Sequence, residues 1–325
     1  MTITTVTLNA AVDVTYTVDR IRTGASHRLA TARHRAGGKG VNVARVLTAL
    51  GRPALVAGLA GGPAGDAVRR DLAASGMAEA LTAIAGTTRQ TVTVVEEAAG
   101  DAAVFLEPGP EVSAAEWRAF TRHFARLLGR SRAVVLSGSL PPGLSEDAYG
   151  ELVAAARRSD VPVVLDTTGP PLLAALAAGP DLVKPNAAEL RETVGAEDVR
   201  AGAETLRRAG ARSVVVSLGA EGLLAVAPDG VWRARPPERL AGNPTGAGDA
   251  AVAALAAGLA DRTPWPERLR AAVALSAAAV RAPLAGDFDA PAYRDLLSRT
   301  AVTALPAVTA VPTPRPADPA AVPLS

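Results

Sequence analysis

The 325-residue chain has no cysteine, which excludes disulfides, thiolate metal sites and a Cys nucleophile together. Aromatic residues are 3% of the composition against 49% for hydrophobic residues as a whole. The core must therefore be built from Ala, Val and Leu. The histidines, His27, His34 and His123, form no metal-ligand spacing, which argues against a zinc or iron enzyme. No uninterrupted apolar run approaches the ~18 residues a membrane helix needs. The alternating start, Met1-Thr-Ile-Thr-Thr-Val-Thr-Leu8, lacks the basic and apolar regions of a signal peptide. A cytoplasmic protein without a membrane partner is expected. Formal net charge is only +2, from 34 basic and 32 acidic residues that intersperse, so nothing points to nucleic acid.

Lysine is scarce in a more informative way. It occurs only at Lys39 and Lys184, and every other Lys/Arg position is Arg. Such a composition reads as a drift from Lys to Arg wherever the two are interchangeable. The survivors lie in Gly37-Gly38-Lys39-Gly40 and Lys184-Pro185-Asn186. An ammonium is a compact point charge that a planar guanidinium cannot replace in a tight phosphate or hydroxyl pocket.

What is present is led by Asn243-Pro-Thr-Gly-Ala-Gly-Asp-Ala250, which runs into an alanine-rich helical stretch, Ala251–Leu259. Gly246, Ala247 and Gly248 sit where a helix would begin, so their N–H groups lack intrahelical acceptors and can face an anion. Asp249 follows at once. A carboxylate beside bound phosphates is poor design for anion binding and good design for a general base, taking the proton of a hydroxyl that attacks a terminal phosphoryl group.

Strands and helices alternate along most of the chain. Val134–Ser137, Val161–Asp166, Asp181–Lys184 and Ser213–Ser217 read as short strands, each following a helix: Ala114–Leu128, Glu146–Arg158, Pro171–Ala178 and Arg200–Ala209. This pattern predicts an α/β protein with a parallel sheet and helices on both faces. Ligands in such sheets gather at the carboxyl ends of strands, here the loops 137–143, 166–169, 184–186 and 217–219. Two segments break the pattern. Val12–Val18 reads as an alternating strand, and Gln90–Glu96 with Ala102–Glu107 as a hairpin around Gly100-Asp101. They predict a small antiparallel sheet of three strands over the pocket, as a lid or dimer surface. Pro306–Ser325, rich in Pro, Ala and Thr, reads as a disordered tail.

With these motifs in place, the chain resembles ribokinase-superfamily sugar kinases of the phosphofructokinase B branch, most of all bacterial 1-phosphofructokinases and tagatose-6-phosphate kinases. The likeness runs from Thr7-Leu-Asn-Ala-Ala-Val-Asp13 to Gly286-Asp-Phe-Asp289 and includes Gly37-Gly-Lys-Gly-Val-Asn-Val-Ala-Arg45 and the Asn243–Asp249 stretch. Between them lie Ser137-Gly-Ser-Leu-Pro-Pro-Gly143, Lys184-Pro-Asn-Ala-Ala-Glu-Leu190 and Ser217-Leu-Gly-Ala-Glu-Gly222. The resemblance implies a ribokinase-like three-layer α/β/α sandwich with a mainly parallel sheet and a β lid. One kinase domain would span 1–305, with lid segments at about 12–33 and 88–108.

The resemblance also implies roles. Asp249 would be the base, and Gly246, Ala247 and Gly248 the anion hole. Asp13, Gly38, Lys39 and Asn42 would hold the sugar phosphate, joined by Arg89. Ser139 would either donate to the substrate phosphate or cap the helix after Pro142. Lys184, Asn186, Ser217, Gly219 and Gly222 would serve the nucleotide, and Glu189 would act on Mg²⁺ through water. Glu189 also reads as a first-turn acid favoured by the helix dipole. ATP and Mg²⁺ are the implied cofactors. A homodimer paired through the lid is expected on separate grounds, since an isolated small sheet is marginal in water and its uncovered edge invites pairing. Fructose 1-phosphate is the first choice of substrate, with tagatose 6-phosphate and fructose 6-phosphate as alternatives. Leu106-Glu-Pro-Gly-Pro-Glu-Val112 and Asn243-Pro244 resemble the tagatose-6-phosphate side. A sugar-phosphate sensor on the same fold is a competing class, though a sensor gains nothing from Asp249. A Rossmann dehydrogenase is disfavoured, because no Gly-x-Gly-x-x-Gly follows the first strand with an acid at the right distance.

Overall fold

The computed structural model describes residues 1–29, 32–96, 98 and 101–306. A ten-stranded sheet runs in the order β14 (Val302–Leu305), β13 (Gly230–Ala234), β12 (Leu223–Ala227), β11 (Val214–Ser217), β10 (Leu182–Val183), β9 (Val163–Asp166), β8 (Ser131–Ser137), β1 (Thr2–Thr7), β4 (Ala54–Gly61) and β5 (Ala78–Ile84). The seven neighbours β11, β10, β9, β8, β1, β4 and β5 are parallel. β12, β13 and β14 form an antiparallel edge that the helix–strand alternation did not announce. Strand order reverses at β1 and β8, which opens a crevice at the carboxyl ends of the strands.

The sheet is buried on both faces because its strands are Val/Leu runs whose successive side chains point opposite ways. Val134 and Leu136 join one core while Val135 joins the other, and Val214 and Val216 are likewise split from Val215. The first core is covered by α3 (Ala114–Leu128), α4 (Ala148–Arg158), α5 (Pro170–Leu176), α6 (Ala187–Val194) and α7 (Val199–Arg208). The second is covered by α1 (Lys39–Ala49), α8 (Ala247–Ala260) and α9 (Trp265–Val280), with α10 (Ala290–Arg299) packed on α9. Helix α8 is buried on almost every side. Its surface is mostly alanine and glycine, which lets it lie close to α1, α9 and the sheet, with Val252 and Leu255 filling the core.

The expected bounds of α3 are met to the residue, fixed by a capping box in which Ser113 and Glu116 satisfy each other's backbone N–H. The three-layer α/β arrangement is borne out, and among the described residues no helix is long and apolar enough to cross a membrane. The lid differs in detail. It has four strands in the order β3 (Ala32–Gly37), β2 (Ala11–Val18), β6 (Arg89–Glu96) and β7 (Asp101–Leu106). Its outer pairs are antiparallel and its central pair, β2 with β6, is parallel. Strand β3 escaped the sequence reading because Ala32-Arg-His-Arg-Ala-Gly37 is short and polar, with only Ala36 and Gly37 buried. Helix α2 (Gly62–Ala74) lies beneath the lid, where Val68 and Leu72 pack with Val12, Val14 and Ala36. Beyond Pro306, the expected tail lies outside the described residues, as does Gly100 of the hairpin turn.

Candidate active site

A cleft of about 770 Å³ lies between the carboxyl ends of the strands and the lid. Thirteen of the residues singled out above line it: Asp13, Gly38, Lys39, Asn42, Arg89, Ser139, Lys184, Asn186, Glu189, Ser217, Gly246, Gly248 and Asp249. A larger groove, about 1090 Å³, opens at the opposite end of the sheet beside the C-termini of α4 and α8 and holds none of them. The smaller cleft is where helix N-termini and convergent polar groups meet, so the chemistry belongs there.

Two helices begin at the cleft on glycines in conformations that other residues avoid. Gly246 caps α8 at φ 85° and Gly38 caps α1 at φ 106°. A Cβ on Gly246 would come 2.7 Å from Ala285 Cα, and one on Gly38 would come 2.6 Å from Thr7 Cγ2. Both positions therefore require glycine for dihedral and for space. At α8 the Ala250 N–H already bonds to the Gly246 carbonyl, and the Ala247 N–H turns back to the Pro244 carbonyl at 3.1 Å. The N–H groups of Gly246, Gly248 and Asp249 have no acceptor among the described residues. Ala247 does not line the cleft, so the available cradle is Gly246, Gly248 and Asp249 rather than the expected Gly246, Ala247 and Gly248.

Asp249 is buried in the first turn of α8 and accepts a 2.8 Å hydrogen bond from Asn42 Nδ2 on α1. Burial, and then the negative charge of Asp166, raise its carboxyl to about 6; the Asn42 bond and the ammoniums of Lys39 and Lys184 only partly oppose them. A carboxylate with its pKa just below neutrality is suited to accept a proton in turnover.

Both lysines of the chain converge on one residue, Asp166, at the end of β9. Lys39 Nζ is 3.4 Å from Oδ2 and Lys184 Nζ is 3.2 Å from Oδ1, while the Ser137 hydroxyl donates to Oδ2 at 3.1 Å. Asp166 is 2% exposed and Lys184 is 5% exposed. Burial alone would lift the Asp166 carboxyl, but Lys184 and Lys39 outweigh it and hold it below the usual carboxylate range. In return Asp166 is the main cause of a raised Lys39 pKa. Sequence reading placed Asp166 in a strand-end loop but gave it no role. Its one local signal is an acid ending a Val-Val-Leu-Asp strand.

On the lid side, Asp13 faces the cleft from β2, and burial pushes its carboxyl up against the pull of Arg89. Arg89 Nε donates to the Asn9 carbonyl at 3.2 Å and Nη1 to the Glu107 carbonyl at 3.1 Å, fixing its guanidinium at the base of the lid. Ser139 does not cap a helix, since α4 starts at Ala148; its hydroxyl accepts from Asn9 Nδ2 at 3.2 Å. Asn9, whose Oδ1 is buried without a partner, was missed because a lone Asn after a strand reads as a turn.

At the start of α6, Asn186 and Glu189 form a capping box: Oε2 of Glu189 accepts from the Asn186 N–H and Oδ1 of Asn186 from the Glu189 N–H, both at 2.8 Å. Ser217 pairs with Asn186 across a single bridge. Gly219 and Gly222 do not line the cleft. Gly222 serves the turn from β11 to β12, where a Cβ would collide with the Ala234 carbonyl.

Unpaired N–H groups at a helix start, a buried carboxylate and paired ammoniums thus meet at the crevice of a lidded α/β sheet, and the fold is that of the ribokinase-like phosphotransferases. The chain belongs to the pfkB family of carbohydrate kinases, whose model matches residues 5–292; it is an ATP-dependent sugar kinase. It is 38% identical over 315 residues to a 1-phosphofructokinase of Xanthomonas campestris, covering 93% of this chain and 98% of that protein. Against a 1-phosphofructokinase of Rhodobacter capsulatus it is 41% identical over 259 residues, 78% and 82% of the two chains. Phosphofructokinase-2 from Escherichia coli in complex with potassium superposes with a TM-score of 0.86 at 31% identity, over 92% of this chain and 98% of that one. The same protein also matches in a tetrameric inhibited form, with a TM-score of 0.85.

Proposed function

We propose that this kinase transfers the terminal phosphoryl group of ATP to the free primary hydroxyl of fructose 1-phosphate, giving fructose 1,6-bisphosphate and ADP. The observation that carries the reading is the buried Asp249 carboxylate among unpaired N–H groups at the start of α8, in a cleft shared with both lysines. The names of the Xanthomonas and Rhodobacter relatives favour fructose 1-phosphate over the 6-phosphates. Asp249 takes the hydroxyl proton as the oxygen–phosphorus bond forms. The bond to the bridging oxygen breaks in line, and charge on the transferring group is met by the Gly246 and Gly248 N–H groups. Asn42 aims the base. Asp13, Gly38, Lys39, Arg89 and Ser139 hold the sugar phosphate, while Lys184, Asn186 and Ser217 hold the nucleotide.

The residues fit a hydrated divalent ion rather than a protein-caged one. Among the described residues no group of three His, Cys, Asp or Glu side chains is placed to hold a metal. Glu189 spends Oε2 on its capping box and has one oxygen free for a water. Mg²⁺ suits such a site, since it keeps several waters and binds chiefly to phosphates, where it neutralises charge. The protein would act in the cytoplasm, residues 1–305 forming one kinase domain.

The test is ADP release in a coupled assay with fructose 1-phosphate, fructose 6-phosphate, tagatose 6-phosphate and unphosphorylated sugars. The highest kcat/KM is expected with fructose 1-phosphate. A higher value with either 6-phosphate moves the assignment to that sugar, and no release from any supports the sensor.

The lid is proposed to pair two copies into a homodimer. Its edge strand β7 presents Val104, Phe105 and Leu106 at 53%, 61% and 69% exposure, an apolar edge of the kind that seeks a partner. Light scattering at assay concentration is expected to give a dimer. A strict monomer with full activity overturns the pairing.

A further inference from the structure

One stretch that the sequence singled out, Gly286-Asp-Phe-Asp289, has no part in the chemistry above. It opens on a tight turn between α9 and α10, closed by the Asp287 N–H bonding to the Leu284 carbonyl at 3.2 Å. Three parts of the active site meet on this turn. Ala285 lies under Gly246, and a Cβ there would be 2.7 Å from Ala285 Cα. Gly286 lies against Asn42, where a Cβ would be 3.2 Å from Asn42 Cα and 3.3 Å from its Oδ1. The third is the lid. Arg35 of β3 forks onto Asp287, Nη1 to Oδ2 at 2.8 Å and Nη2 to Oδ1 at 2.5 Å, and Nη1 also donates to the Ala285 carbonyl at 3.3 Å. Arg35 sits directly opposite Asp13 in the pairing of β3 with β2.

We propose that Arg35 and Asp287 form a strap that sets the seat of the lid against the phosphate cradle, making Arg35 a positioning residue for Asp249 and Gly246. The proposal rests on the kinase reading and adds a coupling to it. Strand β3 has two anchors of different character. On one side the Ala36 N–H donates to Asp71, which pairs with Arg45, a residue buried in α1. That anchor is the more buried of the two, with the Arg45 side chain 6% and that of Asp71 29% exposed. On the other side the Arg35–Asp287 pair is 22% and 41% exposed, within reach of water and able to open. A bidentate fork fixes angle as well as distance. When it is made, Asp13 on the lid and the turn beneath Gly246 and Asn42 move as one piece. When it opens, the lid stays hinged through Asp71 but loses its register with the base.

The experiment is a reciprocal charge swap. Arg35→Asp and Asp287→Arg, made singly, are each expected to lower kcat 10- to 100-fold, the scale of a small misplacement of reacting groups. The double variant is expected to recover to within a few-fold of wild type. Hydrogen exchange without ligands supplies a readout independent of turnover: each single change should speed exchange both in β2 and at residues 246–250, and the swap should restore both. If a reversal fails to fold, Arg35→Met with Asp287→Asn carries the test: each single change should show the same paired loss, and combining them should add little. Wild-type kcat in the single variants, loss that the swap does not repair, or faster exchange in the lid alone overturns the strap. An inactive wild type overturns the kinase reading instead, and leaves the exchange experiment to judge the strap.

Discussion

Asp249→Asn is expected to lower turnover by about 10²–10⁴, the range for loss of a general base, with ATP binding and fold retained. The asparagine oxygen can still accept the Asn42 hydrogen bond, so the amide pair survives while the proton acceptor is gone. The pH profile carries the same assignment. With the Asp249 carboxyl raised to about 6, kcat/KM for the sugar phosphate should fall below that pH as the base becomes protonated. The variant's residual rate should keep only the ionisation of the substrate itself.

Stability has the opposite sign to the usual carboxylate. Between its ordinary value of 3.8 and about 6, the folded state binds more protons than the unfolded one, so stability falls as pH rises through that window. Keeping Asp249 ionised at neutral pH costs on the order of 3 kcal/mol. Asp249→Asn should therefore melt no lower than wild type at pH 7, and higher if the full cost is relieved. A variant that keeps more than about a tenth of the wild-type rate would move the base elsewhere.

Asp166→Asn is the second large effect, expected to lower kcat/KM about 100-fold or more for both substrates at once. One carboxylate holds both ammoniums, Lys39, proposed for the sugar phosphate, and Lys184, proposed for the nucleotide. Its neutralisation leaves Lys184 buried without its ion-pair partner, and breaking a buried pair in this way costs about 3–5 kcal/mol. Melting should drop accordingly. Since the Asp166 charge also raises Asp249, the acid limb of the residual activity should shift to lower pH. A rise in one Michaelis constant alone would show that only one lysine depends on Asp166. An unmoved acid limb would remove Asp166 from the electrostatics of the base.

Much of the site was legible because its parts are local. A glycine required at φ 85° and acids in the first turns of helices, at Asp249 and Glu189, are each written within a few residues, where dihedral preference and the helix dipole act directly. The lysines were legible for another reason: against a background of arginine, their retention marks positions where a compact charge is needed. Local reading does not give the orientation of Ala247, whose N–H bonds within its own turn, or of Gly222, which sits in a strand connection; neither lines the cleft.

By itself the sequence determined the α/β alternation, the glycine-led helix start with its acid at 246–249, most of the lid strands and the family. Each of these depends on period, turn chemistry or residue type within a short window. Only the tertiary structure decided that Lys39 and Lys184, 145 positions apart, share Asp166, and that Arg35 of the lid reaches Asp287, 252 positions away. It also decided that β3 joins the lid and that an antiparallel edge closes the sheet. Those contacts follow from strand order and from how helices seat on the sheet. Such placement is set by burial summed over the whole core, so no short stretch of residues encodes it.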